Sequence, residues 1–486
     1  MSKVPDMKYD IIIIGGGLGG LTAGAKLARD GKNILLIEQH SKPGGCATTF
    51  RRQGFTFEVG LHEMDGPSPR DMKNRIFTEL EVFDNVKFIK VPEFYRFVSE
   101  RIKITIPHDP VQAAAVLKEE FPDEVAGIDT FFNRILNPKR KPADAETEKD
   151  RSVGEFLDSI IDNDDLKLVL LGNLGYFHDD PYTLSLAYYS VAQGSYFNGG
   201  ASFIRGGSQI LSDHLADYIR KHGGKVILDH LVTGFIEENG RLTGVTFCKK
   251  QKANAEINKA YSAEIIANAS IPSIAEMLPE KFANRLKEGI LHQKTGASLL
   301  SVYLGFSHNL SFIGNKHYST FFFDNSIKSQ ADIFSNNCGE FSRRSFTFID
   351  YGRVDSGLAP EGKSAGAICC IDYTSGWENL SRDSYLSKKE DVAKILISRL
   401  DKAIPGIADE IEYYEVGTPT TVRRYTLNPG GAVYGFARTP GKPLIEYTGL
   451  PDNLHFASAW GKTGGGFSGA IYSGYLCAYN ILRKKN

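Results

Sequence analysis

The sequence has no excess of charge of either sign: 57 basic and 58 acidic side chains leave a formal net charge of -1 over 486 residues. Such a balance gives no electrostatic reason to expect nucleic acid as a partner. Also missing is any run near the roughly 18–20 apolar residues that cross a bilayer, so any membrane contact is expected to be peripheral. The first apolar run has polar flanks and meets a glycine turn instead of a cleavage site, which argues against a signal peptide. The six cysteines, Cys46, Cys248, Cys338, Cys369, Cys370 and Cys477, show neither CxxC nor Cys/His metal spacing. No metal site or disulfide framework is expected from them; they predict reduced thiols in the cytoplasm. The vicinal Cys369-Cys370 pair lies in the apolar run AGAICCI and reads as buried strand, not as a redox couple. Internal repeats are absent, and so is a second GxGxxG with a strand and an acidic partner.

What is present starts at residues 9–24, YDIIIIGGGLGGLTAG, where an apolar strand runs into a glycine turn and then a helix. Gly15 allows the tight turn, Gly17 lets the backbone approach a pyrophosphate, and Gly20 lets the helix pack closely on the strand. Bare N–H groups at the helix start, reinforced by its dipole, suit phosphate. A second strand, NILLIE, ends at Glu38, about twenty positions on, where a carboxylate can accept both hydroxyls of an adenosine ribose. The context predicts a bound dinucleotide.

At this length two intertwined or consecutive domains are expected. The pieces assign residues 1–70, 200–275 and 420–486 to a nucleotide-binding domain, and 71–199 and 276–419 to a substrate domain. Within the first, GGSQILSDHLADYIRKHGGKVIL predicts a helix, a glycine cap and a strand, and VTGFIEENGRLTGVTFCKK a hairpin turning at Asn239-Gly240. Within the second, SLLSVYLGF, YSTFFFDN, SFTFIDY and AGAICCIDY predict a mainly antiparallel sheet, followed by the helix DVAKILISRLDKAI. The run PKRKPADAETEKDRS reads as a solvated loop. The fold class is therefore α/β, a Rossmann-type domain of glutathione-reductase-like plan with an inserted α+β domain. Glycine-rich elements at 15–20, 44–45 and 464–469 can line one long ligand, which favours FAD over NAD.

Several separated motifs carry a resemblance. GGCATTFRRQGFTFEVGLH, TPTTVRRYTLNPGGAVYG and NLHFASAWGKTGGGFSGAIYSG resemble the FAD-dependent phytoene-desaturase-like superfamily, most nearly its carotenoid-isomerase and retinol-saturase branch. The resemblance implies that Gly15, Gly17, Gly20, Glu38 and Gly45 contact FAD. It places Val232 at the adenine and Gly465, Phe467, Gly469 and Ala470 along the flavin. Leu18, Gly19, Cys46, Thr48, Gly60, Ala459 and Trp460 complete the expected cofactor set. Many relatives carry Arg where this chain has Cys46, and Gly-Asp where it has Ala459-Trp460. A charged phosphate contact and a ribityl carboxylate are thus missing, while backbone contacts remain.

The implied activity is exchange of a hydride with carbon–carbon bonds of an apolar polyene or isoprenoid: desaturation, saturation or cis–trans isomerisation. Its redox partner would be quinone, oxygen or a reductant protein. HYSTFFF and YYSVAQGSYF either line an apolar tunnel or fill a core. His62 or Glu63 in LHEMDG is the leading proton carrier, with pocket-shaping the alternative for His62. Lys462 either stabilises reduced flavin or is a solvated loop lysine. Arg205, Arg423 and Arg424 are candidates for a polar substrate end or a phosphate. Two rivals stand: an amine-oxidase-like flavoprotein with an aromatic cage for a small polar amine, and a non-catalytic flavin or lipid carrier.

Overall fold

A computed structural model describes residues 7–484 apart from 70, 139–150, 251–255, 442–444 and 446. The charged run PKRKPADAETEKDRS lies almost wholly outside the described residues. Two seven-stranded sheets organise the rest. In the first, strands Lys225–Ile227, Ile34–Ile37, Met7–Ile14 and Asn258–Ala267 run parallel in that order, and Leu454–Phe456 pairs parallel with the end of the last. The hairpin His230–Glu238 and Arg241–Lys249 closes the edge antiparallel. Its turn residues Asn239 and Gly240 both have positive φ, 52° and 84°, as the tight hairpin turn requires. The IIII run, Ile11 to Ile14, is buried on both faces of the sheet, as a central parallel strand demands.

Helix Leu18–Arg29 follows the glycine turn, and every residue from 18 to 28 is buried. It packs against Gln209–Lys221 on one side and the last helix, Gly466–Arg483, on the other. The approach is close enough to need glycine. A Cβ on Gly20 would lie 2.3 Å from the Gly15 carbonyl oxygen, one on Gly19 1.9 Å from that of Ala457, and one on Gly474 2.1 Å from that of Gly19.

The second sheet is ordered Ile411–Gly417, Ser298–Phe306, Ser364–Asp372, Phe346–Asp350, Ser319–Phe322, Tyr95–Val98, Lys103–Ile106. All its pairings are antiparallel except Ser319–Phe322 with Tyr95–Val98. The period of two splits the strand Ser298–Phe306: Leu300, Val302, Leu304 and Phe306 pack under helix Arg382–Ala403, while Leu299, Ser301 and Tyr303 face a cavity. Cys369 and Cys370 are free, buried thiols in the next strand, where burial pushes the Cys369 thiol up to about 11. A third, small sheet joins Phe88–Lys90, Ala201–Ile204 and Met64–Asp65, tying the segment after residue 71 to both flanking segments of the nucleotide unit. Among the described residues no helix is long and apolar enough to cross a membrane.

The helix crossing gives a first expectation. Gly474→Ala forces a methyl into the Gly19 carbonyl and is expected to destabilise the protein by about 1–3 kcal/mol, read as a lowered thermal midpoint. An unchanged midpoint would show that the crossing yields without cost.

Candidate active site

One cavity of about 1290 Å³ runs from the C-terminal ends of the parallel strands to the inner face of the second sheet. That exceeds the roughly 300–1,000 Å³ of ordinary ligand pockets and leaves room for two ligands end to end. At its nucleotide end Glu38 is buried, accepting the Gly16 N–H at 2.6 Å and the His40 N–H at 2.7 Å. Burial raises its pKa, and the two N–H donors oppose that shift. The carboxylate is thereby fixed in direction with lone pairs left for a ribose. Gly15 holds φ 96°, and Asn268 Nδ2 donates to its carbonyl at 2.9 Å, bracing the turn from the neighbouring strand.

Two helices begin on glycine and point their first turns into this cavity. Leu18–Arg29 starts after Gly17 and Gly466–Arg483 after Gly465, each without a side-chain cap or an acidic residue in its first turn. Asp71, Asp109, Ser185, Ser270 and Ser381 cap their helices with side-chain oxygens; Val125–Leu136, Gln209–Lys221 and Glu280–Ile290 also lack such a cap, but their first turns do not line the cavity. Uncapped N–H groups cost free energy unless something accepts them, so both ends are built for an electron-rich ligand.

Between them, Glu58 organises the turn. Its carboxylate accepts the N–H groups of Gly60, Leu61 and Ser208 and the Ser208 hydroxyl, at 2.7–3.1 Å. Asp65 does the same for the second helix: Lys73, with a fully buried side chain, donates to it at 2.8 Å, and the hydroxyls of Ser195 and Ser468 donate to it as well. Ser468 belongs to the first turn of the last helix and Ser195 to the helix Leu186–Gly199 that roofs the cavity. The Lys73 charge is what holds the Asp65 pKa below its ordinary value despite burial.

The expected residues divide on inspection. Gly15, Gly17, Leu18, Gly19, Glu38, Gly45, Cys46, Thr48, Gly60, Val232, Ala459, Trp460, Gly465, Phe467, Gly469 and Ala470 all line the cavity, as do His62 and Glu63. Gly20 does not; it faces the strand, where its lack of a Cβ matters for packing. Lys462 is also off the cavity, exposed, with its ammonium 5.9 Å from the Tyr447 ring centroid, so the solvated-loop alternative describes it. Arg205 pairs with Asp355 and Arg423 with Glu378 on the surface, and Arg424 lies against Tyr425. None of the three arginines lines the cavity.

Burial dominates the chemistry of the inner end. His62 is pushed down to about 4 by desolvation and is neutral at pH 7. Its ring stands 5.7 Å from that of Tyr176, and its carbonyl accepts the Tyr318 hydroxyl. Glu63 is 6% exposed, and neither carboxyl oxygen has a hydrogen-bond partner among the described residues. Desolvation, and then the nearby Glu93, raise its pKa well above the ordinary 4.5. An unpaired buried carboxyl survives by keeping its proton. Sequence reasoning reached Glu63 by adjacency to the strand. It missed Asn268, Lys73, Tyr176 and Glu93, because nothing in their local sequence announces partners so far along the chain.

A nucleotide-binding parallel sheet and two uncapped helix starts sharing one long cavity define an FAD-dependent oxidoreductase. The chain belongs to the flavin containing amine oxidoreductase family, whose signature matches residues 18–482. Prolycopene isomerase 2, chloroplastic, of an Oncidium hybrid cultivar is 26% identical to it, over 98% of this chain and 84% of its own. All-trans-retinol 13,14-reductase of Danio rerio is also 26% identical, over 89% of this chain and 78% of its own. Among solved structures, a triple mutant of putrescine oxidase matches with a TM-score of 0.69 at 14% identity, over 99% of this chain and all of its own. An oxidoreductase from Methanosarcina mazei gives 0.66 at 15%, over 98% and 100%. These two show the shared fold.

The residues fit FAD: a ribose-directed carboxylate, bare N–H groups at two helix starts, and glycines where a Cβ would intrude. Glu38→Gln removes the charge while keeping an acceptor. It is expected to weaken FAD binding roughly 10-fold or more, as loss of a charged hydrogen bond does. Flavin retained after equilibrium dialysis measures this; full retention would remove Glu38 from the cofactor set.

Proposed function

We propose that the protein acts on carbon–carbon double bonds of a long apolar polyene or isoprenoid, by desaturation, saturation or cis–trans isomerisation. The observation that carries the reading is the inner arm of the cavity. Phe321, Phe323, Ile327, Ile333, Phe346 and Ile371 line it, and the Leu186–Gly199 helix covers it with Tyr188, Ala192 and Tyr196. Long apolar walls reward a long apolar ligand and offer little to a small solvated one. The names of the relatives, an isomerase of prolycopene and a reductase of retinol, support the same substrate class.

Bound FAD supplies a two-electron hydride donor or acceptor. The glycine-started helices, Glu38, Cys46, Thr48, Gly60 and the 465–470 turn, which all line the cavity, would hold the cofactor. Asp65, anchored by Lys73, ties that turn to the roofing helix through Ser468 and Ser195, and so would fix the angle at which two ligands meet. The apolar walls exclude water. Glu63, protonated in the apolar arm, gives the proton that accompanies hydride addition at carbon; in the reverse direction its ionised form receives one. Neutral His62 shapes the pocket beside it. Desaturation or saturation draws on an external partner (quinone, oxygen or a reductant protein); isomerisation needs no net electrons. Peripheral contact with a membrane would deliver so apolar a substrate.

The amine reading has one observation in its favour: Glu63 lies among the rings of Tyr176, Tyr196 and His62, a setting that also suits a cation. Anaerobic incubation of the purified flavoprotein with a panel of polyenes and amines separates the readings. A product two mass units away indicates desaturation or saturation, and unchanged mass with a new retention time indicates isomerisation. Flavin bleaching by amines alone would replace the polyene reading, and no turnover of either would leave a flavin or lipid carrier.

Glu63→Gln keeps the shape and loses the proton. Turnover is expected to fall by about 10²–10⁴-fold with flavin content intact. In the wild type, because the Glu63 pKa is raised, activity that needs the protonated form is full at low pH and lost as pH rises through that elevated value. A Glu63→Gln enzyme with normal turnover would exclude the role.

A further inference from the structure

We infer, on the polyene reading, that His178 holds the terminal oxygen of the substrate, so that the ligand is an oxygenated polyene or isoprenoid, an alcohol or aldehyde, and not a bare hydrocarbon. The three arginines expected at a polar substrate end all lie off the cavity, paired or stacked at the surface. The inner arm itself holds a polar group that the hydride chemistry does not use.

His178 follows the short turn Leu174–Tyr176 and lines the cavity together with Phe177, Ile333 and Ile371. Its side chain is 7% exposed. One edge of the ring is clamped by its own loop: Oδ1 of Asp179 lies 2.7 Å from Nδ1, and the N–H groups of Asp179 and Asp180 meet Nδ1 at 2.9 and 3.2 Å. The opposite edge carries Nε2, which is buried and has no hydrogen-bond partner among the described residues. The clamp is braced in turn. The Tyr373 hydroxyl donates to the Asp179 carboxylate, and Asn337 Nδ2 donates to the Asp179 carbonyl at 2.9 Å. Asp180 accepts the Tyr182 N–H at 2.9 Å and the Thr183 hydroxyl at 3.0 Å. Asn337 also lines the cavity, so the two residues form a polar corner beside the apolar walls of Ile333 and Ile371.

A buried imidazole nitrogen without a partner costs free energy, and a ring pinned along one edge cannot turn to relieve it. A ligand that supplies the missing partner recovers that cost. The tautomer does not change the ligand class. If Nδ1 accepts the loop N–H groups, Nε2 carries a proton and donates; if Nδ1 gives its proton to Asp179, Nε2 offers a lone pair. A hydroxyl satisfies either state, and an aldehyde oxygen satisfies the first. A carboxylate terminus would bring a second anion towards Asp179. Burial works to raise the Asp179 pKa, but the hydrogen bonds of His178 and Tyr373 outweigh it and hold the group below its ordinary value. A hydrocarbon would seal Nε2 away unpaired, which is how a site built to bond an oxygen rejects the analogue lacking it. In an isoprenoid that oxygen stands at the chain end, so holding it would set which double bond reaches the flavin.

Titration of the purified flavoprotein with geranylgeraniol, its aldehyde, and the hydrocarbon with hydrogen in place of the hydroxyl reads binding through the flavin absorbance, without turnover. The wild type is expected to bind the alcohol about 10-fold or more tightly than the hydrocarbon, as one buried hydrogen bond implies. His178→Asn keeps an acceptor for the loop N–H groups and removes the Nε2 edge. It is expected to weaken the alcohol about 10-fold and leave the hydrocarbon unchanged. His178→Gln returns an amide to the Nε2 position and is expected to restore most of the preference. Flavin content and thermal midpoint check that both variants fold. An aldehyde bound like the alcohol shows Nε2 donating, and one bound like the hydrocarbon shows it accepting; both agree with the assignment. Equal affinity of the wild type for alcohol and hydrocarbon would overturn it, and so would an equal loss of both in His178→Asn, which marks a purely structural histidine. Failure of all three probes to bind would overturn the polyene reading as well, whereas binding of all three alike removes the role of His178 alone.

Discussion

The first and last helices cross at a distance only glycine allows, with Gly474 against the Gly19 carbonyl and Gly19 against that of Ala457. That contact brings together segments more than 400 residues apart and aims both helix starts at one volume. Each start sits on glycine without a capping side chain, so each leaves backbone donors unsatisfied by the protein itself. Free energy that a Ser or Asp cap would have supplied is left for the cofactor to recover. The parallel strands, buried where Ile11–Ile14 and Ile34–Ile37 pair, give this arrangement its rigidity. Shifting either helix outward by a methyl group would separate the two donor sets.

A second constraint is electrostatic. The inner end of the cavity holds ionisable groups in an apolar setting, and the fold treats them in two opposite ways. Asp65 is fully engaged by Lys73 and two hydroxyls, and it acts as a rivet between the last helix, the roofing helix and the small third sheet. Glu63, two residues earlier, is left bare and keeps its proton. Removing one charge from a buried pair costs far more than a surface pair is worth, so the Asp65 network is structural in its energetics. An unpaired carboxyl at Glu63 has no such structural return, and its tolerance in the fold is the reason to assign it chemistry.

Much of the plan was legible in the residues. The strand–glycine–helix of 9–24, the carboxylate at Glu38, the Asn239-Gly240 hairpin and the four strands of the second sheet depend on local rules: glycine conformations, period-two alternation and turn chemistry. The elements formed where those rules placed them. Glycine roles were harder to assign, since Gly17 faces the cavity and Gly20 faces the strand only three positions on. Lys462 and Arg205 looked functional for their charge, yet charge in a sequence carries no direction, and both side chains point to solvent or a surface partner.

By itself the sequence determined the cofactor class and the division of strands between two sheets, because neighbouring residues enforce each of these. Only the tertiary structure decided which ionisable groups meet. Lys73 reaches Asp65 and Tyr472, Glu93 binds the Tyr318 backbone, and Asn268 braces a turn some 250 residues earlier. Those encounters depend on how strands are ordered and helices crossed, and burial, which sets whether a carboxyl is an anion or an acid, exists only once the chain has closed.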